Sequence, residues 1–225
     1  MALGEKTIGV LMAAALSASA AQFPVRHAHV RRGCDGTLTA DEKGVAFAGP
    51  KGHAWSWKLE EIEELRLAPD GVTLVSYRDN GLLLGRDRQF RFLGQTPAAE
   101  LYRLLLPRME KRLVAEFAEA TQGAIWSMAV KHLLRIHGSE GTLAFGEDAV
   151  VYRTAVKDDS RTWRYSDLDT ISSSGPFQFT IVTYERDRSQ YGDRRGFNFV
   201  LKEPIKESTY NDLWLKVERK NGRVP

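Results

Sequence analysis

The side chains with the most chemistry available to them stand near the start of the chain. His27 and His29 are one residue apart, and Cys34, the single cysteine, follows closely. On an extended strand, residues i and i+2 share a face. Two imidazoles on one face make half of a transition-metal site. Against this, no cysteine or carboxylate stands at a recognisable ligand spacing from the pair. The expectation is therefore a structural, hydrogen-bonded histidine, with no metal and no cofactor. His27 and His29 are the residues to watch if a cation is held at all. A lone thiol excludes an internal disulfide. Cys34 reads as a small structural residue, with a reactive or interchain thiol as the other reading.

The second group is arginine-rich. The triplet Arg-Asp-Arg occurs at Arg86–Arg88 and again at Arg186–Arg188, and Tyr191, Arg194 and Arg195 follow the second copy. Arginine beside tyrosine on an exposed loop suits a protein partner or an anionic ligand. Asp187 and Asp193 offset the charge, so a self-paired, solvated hairpin is the competing reading. No Ser-His-Asp order, phosphate-binding loop, dinucleotide fingerprint or paired zinc motif is present. Ser172 to Pro176 reads as a strand-ending loop.

The elements that carry these residues are written twice. Val25 to Leu38, VRHAHVRRGCDGTL, recurs without a gap as Val130 to Leu143, VKHLLRIHGSEGTL. His27 falls on His132, His29 on Leu134 and Cys34 on Ser139, so the histidine pair is not repeated. Val45 and Phe47 fall on Val150 and Tyr152, Trp57 on Trp163, and Val72–Tyr77 on Phe179–Tyr184. A unit of roughly 100 residues is the size of a small domain and too long for a solenoid repeat. The expected division is 1–21 as an export signal, 22–122 as the first domain and 123–225 as the second.

Within the first copy, strands are expected over Phe23–Arg32, Thr37–Thr39, Gly44–Phe47, Ala54–Trp57, Val72–Tyr77 and Gln89–Leu93. A turn at Gly33–Gly36 and a short helical turn at Leu59–Ile62 leading into a strand to Leu67 complete the set. Thr96 and Pro97 open a helix whose apolar face runs through Leu101, Leu105, Met109, Leu113 and Phe117, with Pro107 kinking or splitting it. The second copy repeats this order, with strands near 130–136, 142–145, 149–153, 162–165, 170–172, 177–184 and 196–201. It ends in a helix over Glu207–Lys220.

Composition is that of an ordinary globular protein, 43% hydrophobic and 27% charged, with formal charge +3. Residues 22–119 carry 15 basic and 14 acidic side chains, and residues 120–225 carry 16 and 14. Neither half is a nucleic-acid footprint. Lys6, the apolar stretch Ile8–Leu16 and the small residues Ala18-Ser19-Ala20 have the form of a cleaved export signal. Without it, no segment is apolar for long enough to span a bilayer. Bacterial export to the periplasm or envelope is the expected location.

The order Gly36-Thr37-Leu38, Val45-x-Phe47, Trp57, Ile62, Leu74, Phe90-x-Phe92 and Leu101-Tyr102, followed by a helix, resembles the pleckstrin-homology-like superfold, most of all its GRAM-type and bacterial members. The resemblance covers nearly the whole chain past the signal. It implies a mainly β fold with C-terminal helices: two tandem, bent, seven-stranded barrels, each plugged by one amphipathic helix. Relatives with that fold often bind phosphoinositides through basic residues of the first strand–strand loop. That basic cluster is absent here, so headgroup binding is not carried over. The function expected is that of a non-enzymatic, exported interaction or scaffold protein. The alternative is an envelope-associated binder of a lipid, glycan or small anionic ligand, and the third reading is an enzyme with its site between the two domains.

Overall fold

The computed structural model describes residues 20–29, 32–50, 52–80, 87–121, 123–134, 136–187 and 194–225. The expected signal at 1–21 lies almost entirely outside the described residues. The chain is mainly β with a few short helices. The first half runs β1 (Ala21–His27), β2 (Cys34–Ala40), β3 (Gly44–Ala48), β4 (Ala54–Lys58), β5 (Ile62–Ala68), β6 (Gly71–Asp79), β7 (Asp87–Leu93) and helix α1 (Ala98–Met109). After β8 (Leu113–Ala115) the pattern returns. It runs β9 (Trp126–Leu133), β10 (Gly138–Phe145), β11 (Ala149–Thr154), β12 (Arg161–Arg164), β13 (Leu168–Gly175), β14 (Gln178–Arg186), β15 (Arg194–Leu201) and helix α2 (Glu207–Lys220). No helix among the described residues is long and apolar enough to cross a membrane.

All fifteen strands share one hydrogen-bonded order, β13-β14-β15-β9-β10-β11-β12-β8-β5-β6-β7-β1-β2-β3-β4. Read in one direction, the seven strands before β8 and the seven after it have the same sequence of neighbours, so β8 lies between two non-equivalent edges, β12 and β5. β8 joins them by pairing parallel to β5 at Leu65, Arg66 and Leu67, and antiparallel to β12 at Thr162. Two cores follow. Phe23, Leu38, Phe47, Trp57, Phe92 and Leu105 lie in the first, and Leu143, Tyr152, Trp163, Phe179, Phe199 and Val217 in the second.

Local chemistry explains the repeated landmarks. A Cβ at Gly36 would strike the Ala48 carbonyl oxygen and the Phe47 ring, and one at Gly141 would strike the Arg153 carbonyl oxygen. Gly-Thr-Leu recurs because the third strand of each half crosses that close. The short turn after β4, Leu59–Glu61, opens with the Lys58 backbone N–H donating to the Glu61 carboxylate. Its counterpart, Tyr165–Asp167, opens with the Arg164 N–H on Asp167.

The structure departs from the sequence reading in four places, the first being that Ser172–Gly175, read as a loop, lies inside β13, paired to β14. Helix α1 stops at Met109, where Glu110 takes a left-handed φ of 47°, and Leu113 belongs to a strand. Leu113, Ala115 and Phe117 alternate as well as they fit a helix, and pairing with two exposed strand edges decides between the periods. Thr96 does not cap α1, since its hydroxyl bonds the Ala68 carbonyl and Pro97 stands at the N-cap. Cys34-Asp35-Gly36 lies inside β2 and not in a turn, because β1 and β2 stay in register from Ala21↔Ala40 to His27↔Cys34.

Candidate metal centre

Strand β1 turns Phe23, Val25 and His27 inward and Gln22, Pro24 and Arg26 outward. His27 is thus the last inward residue of a core-facing row, 7% exposed and ringed by aromatics. Its ring centroid lies 4.9 Å from that of Trp55, 5.2 Å from Phe92 and 5.7 Å from Phe47. Its ladder partner across the hairpin is Cys34. His29 folds back over the same corner, and His53 arrives from the connection between β3 and β4, stacked on Trp55.

Three ligand-type side chains, His27, His29 and Cys34, therefore converge, and His53 reaches the cysteine. His27 Nδ1 is 3.2 Å from His29 Nε2, and His29 Nε2 is 3.2 Å from Cys34 Sγ. His53 Nδ1 is 3.5 Å from the same sulfur. One donor atom each from His27, His29 and Cys34 lies within 4.8 Å of the others. A tetrahedral cation with bonds of about 2.0–2.3 Å spaces its donors about 3.3–3.8 Å apart. The two 3.2 Å separations fall just below that range and the 3.5 Å separation within it. Burial, then the charges of His29, His53 and Arg88, push the His27 pKa down to about 4. At neutral pH the His27 imidazole is therefore neutral, which is the state a metal needs.

The second half builds the same corner differently. His132 is buried opposite Ser139, and His132 Nδ1 lies 3.1 Å from both carboxylate oxygens of Asp159. Burial opposes ionisation of Asp159, but its hydrogen bond and charge interaction with His132 hold its pKa below the usual range. The Tyr152 hydroxyl donates to the Ser139 carbonyl at 2.7 Å and contacts Ser139 Oγ at 2.9 Å. Position by position, the first half carries His29 for Leu134, Cys34 for Ser139, Phe47 for Tyr152, His53 for Asp159 and Trp55 for Arg161. Three of these exchanges add a soft or borderline donor. Phe47 lacks the hydroxyl that engages residue 139, and Trp55 replaces a cation.

Sequence reasoning found His27 and His29 and took the absence of a spaced cysteine as an argument against metal. The ladder places Cys34 directly opposite His27, a proximity that sequence spacing does not show. His53 was missed. The signal available for it was the exchange against Asp159 in an otherwise matching copy.

The arginines lie elsewhere. Arg186 contacts Glu63 at 2.9 Å and Asp87 at 2.5 Å, and its backbone N–H donates to Glu64. Arg195 pairs with Glu185 at 3.3 Å, and Arg194 with Asp169. Arg88 stacks its guanidinium 5.0 Å over Phe90. Arg86, Arg188 and Tyr191 lie outside the described residues. At the centre of the junction, Arg66 is 2% exposed and binds Glu64 at 2.5 Å and Glu116 at 3.2 Å, with Glu185 at 3.8 Å. Arg186 and Arg66 thus join the two halves, while Arg195 pairs within the second. A cleft between the halves is lined by Arg66, Arg91, Glu116, Arg161 and Arg195, and neither His27 nor His132 is among its lining residues.

No protein-family profile matches the chain, and no curated protein matches it. Among solved structures, it is similar to the Spt16D Pob3N heterodimer at 10% identity, over 84% of this chain and 99% of that one, with a TM-score of 0.34. It is similar to the C-terminal domain of an unknown protein from Leishmania infantum at 10% identity, over 42% and 83%, with a TM-score of 0.32. The DH/PH domains of p115-RhoGEF match at 6% identity, over 45% and 31%, with a TM-score of 0.31. Likenesses this distant concern the fold alone, and the chemistry of the corner stands on its own residues.

Proposed function

We propose that this chain is an exported, non-enzymatic binding protein of two pleckstrin-homology-like units, residues 22–122 and 123–225, and that its first unit binds a late first-row transition-metal cation. The observation that carries this reading is the convergence of His27, His29, Cys34 and His53 on one corner. Three imidazoles and a thiolate favour Zn2+, Cu, Ni2+ or Co2+ over Mg2+ or Ca2+, which take oxygen ligands. The second unit supports the reading as an internal control. It keeps the fold and the buried histidine, and it closes the corner with a carboxylate and hydroxyl bonds. In this reading the junction arginines hold the two units together, and the second unit is the scaffold for the first.

Titration of the full chain with Co(II) tests the proposal, because a tetrahedral thiolate site gives intense visible bands and a near-ultraviolet sulfur-to-metal charge-transfer band. Both are expected at one equivalent. Cys34→Ser should lose the charge-transfer band, and His137→Ala, at an exposed histidine outside the corner, should keep it. A weak octahedral spectrum, or a charge-transfer band that survives Cys34→Ser, would sink the reading.

A further inference from the structure

Resting on that reading, we infer that the corner is a carrier's site: the cation is cargo, taken up and passed on by ligand exchange at the protein surface, while the fold stands without it. Two observations carry this.

The first is that the corner is held by protein alone. β1 and β2 are paired through seven residues, ending at His27↔Cys34, and β1 also pairs with β7 at His27↔Phe92. Beneath lie Phe47, Phe90 and Phe92, each at most 4% exposed. Their burial stabilises the hairpin with no contribution from a cation. The second half builds the equivalent hairpin around His132 and Ser139 with hydrogen bonds only. A structural metal site is different, because its binding energy is the folding energy.

The second is the uneven exposure of the donors. His27 is buried and Cys34 half-buried, but His29 and His53 are exposed. An incoming donor can therefore take the place of either outer imidazole while His27 and Cys34 still hold the cation. In that exchange the acceptor's lone pair forms a bond to the cation as the bond to His29 or His53 breaks. No electron is transferred, and a thiol acceptor releases its proton to solvent. The freed imidazole returns to water with no unfolding.

The acceptor is then a site rich in nitrogen or sulfur donors.

The test uses the full chain loaded with one equivalent of Zn(II), mixed rapidly with excess 4-(2-pyridylazo)resorcinol, with transfer followed by the colour of the zinc complex. Ligand exchange predicts a rate proportional to chelator concentration, so that doubling the chelator doubles the rate. His53→Ala, which opens the outer side, should transfer faster at equal chelator. The metal-free chain should melt cooperatively with its strand content intact. A rate independent of chelator would mean that the cation leaves only after spontaneous opening, and would overturn the inference. So would a metal-free chain that is unfolded. A chain that takes up no Zn(II) at all overturns the site itself, a result distinct from slow, chelator-independent release by a loaded protein.

Discussion

The first half can be given the second half's corner. His29→Leu, Cys34→Ser and His53→Asp, made together, install at three positions what the fold already accepts at Leu134, Ser139 and Asp159. His27 is left in place, as His132 is. Four-donor zinc sites in small domains bind with about 10–16 kcal/mol, or about 2.5–4 kcal/mol per donor if shared evenly. Losing two donors outright, with the third exchanged for a carboxylate, therefore removes at least about 5–8 kcal/mol, more than about three orders of magnitude in affinity. Folding should not suffer, because the new carboxylate at position 53 faces His27 as Asp159 faces His132. The assay pairs Co(II) titration with a thermal melt in chelator. The expected result is no tetrahedral Co(II) spectrum and a melting temperature equal to or above that of the wild type. A triple variant that still gives the spectrum would refute the donor assignment. One that unfolds would refute the equivalence of the two corners.

The other two predictions concern stability. Arg66→Ala leaves Glu64, Glu116 and Glu185 without their shared buried cation. Breaking such a network by removing one partner costs about 3–5 kcal/mol, or a fall of about 6–20 °C in melting temperature at this chain length, readable by calorimetry. For His27, the folded-state pKa of about 4 lies below the ordinary 6.5. Between those values the unfolded chain takes up a proton that the folded chain refuses, so stability contributed by a neutral His27 is lost as pH falls from 6.5 towards 4. Urea midpoints of the metal-free protein across that window should fall less steeply for His27→Phe than for the wild type. Parallel slopes would contradict the assigned burial.

Much of the architecture was readable because duplication prints it twice. Matching positions such as Phe90-x-Phe92 against Phe197-x-Phe199 fixed seven strands and a helix per half before any contact was known. β8 was not readable. Leu113 and Phe117 satisfy a helical spacing, and what makes the segment a strand is the presence of two open edges, at β5 and β12, that no local pattern reveals. The candidate site divided in the same way. His27 and His29 are neighbours in sequence, so their shared face followed from strand geometry. Cys34 and His53 join them only through the hairpin register and the approach of the β3–β4 connection, which are tertiary facts.

The strand that stitches the halves also sets what can be cut from this protein. Arg161, Thr162 and Trp163 of β12 are at most 3% exposed, whereas of their counterparts in β4 Trp57 is buried, Trp55 half-buried and Ser56 exposed. Cleavage between Ala115 and Trp126 would part β8 from β12, baring a bonding edge and a buried arginine on the second fragment. Such an edge recruits other strands. The two copies thus share one continuous sheet, and a second copy cut free there would carry an uncovered strand edge.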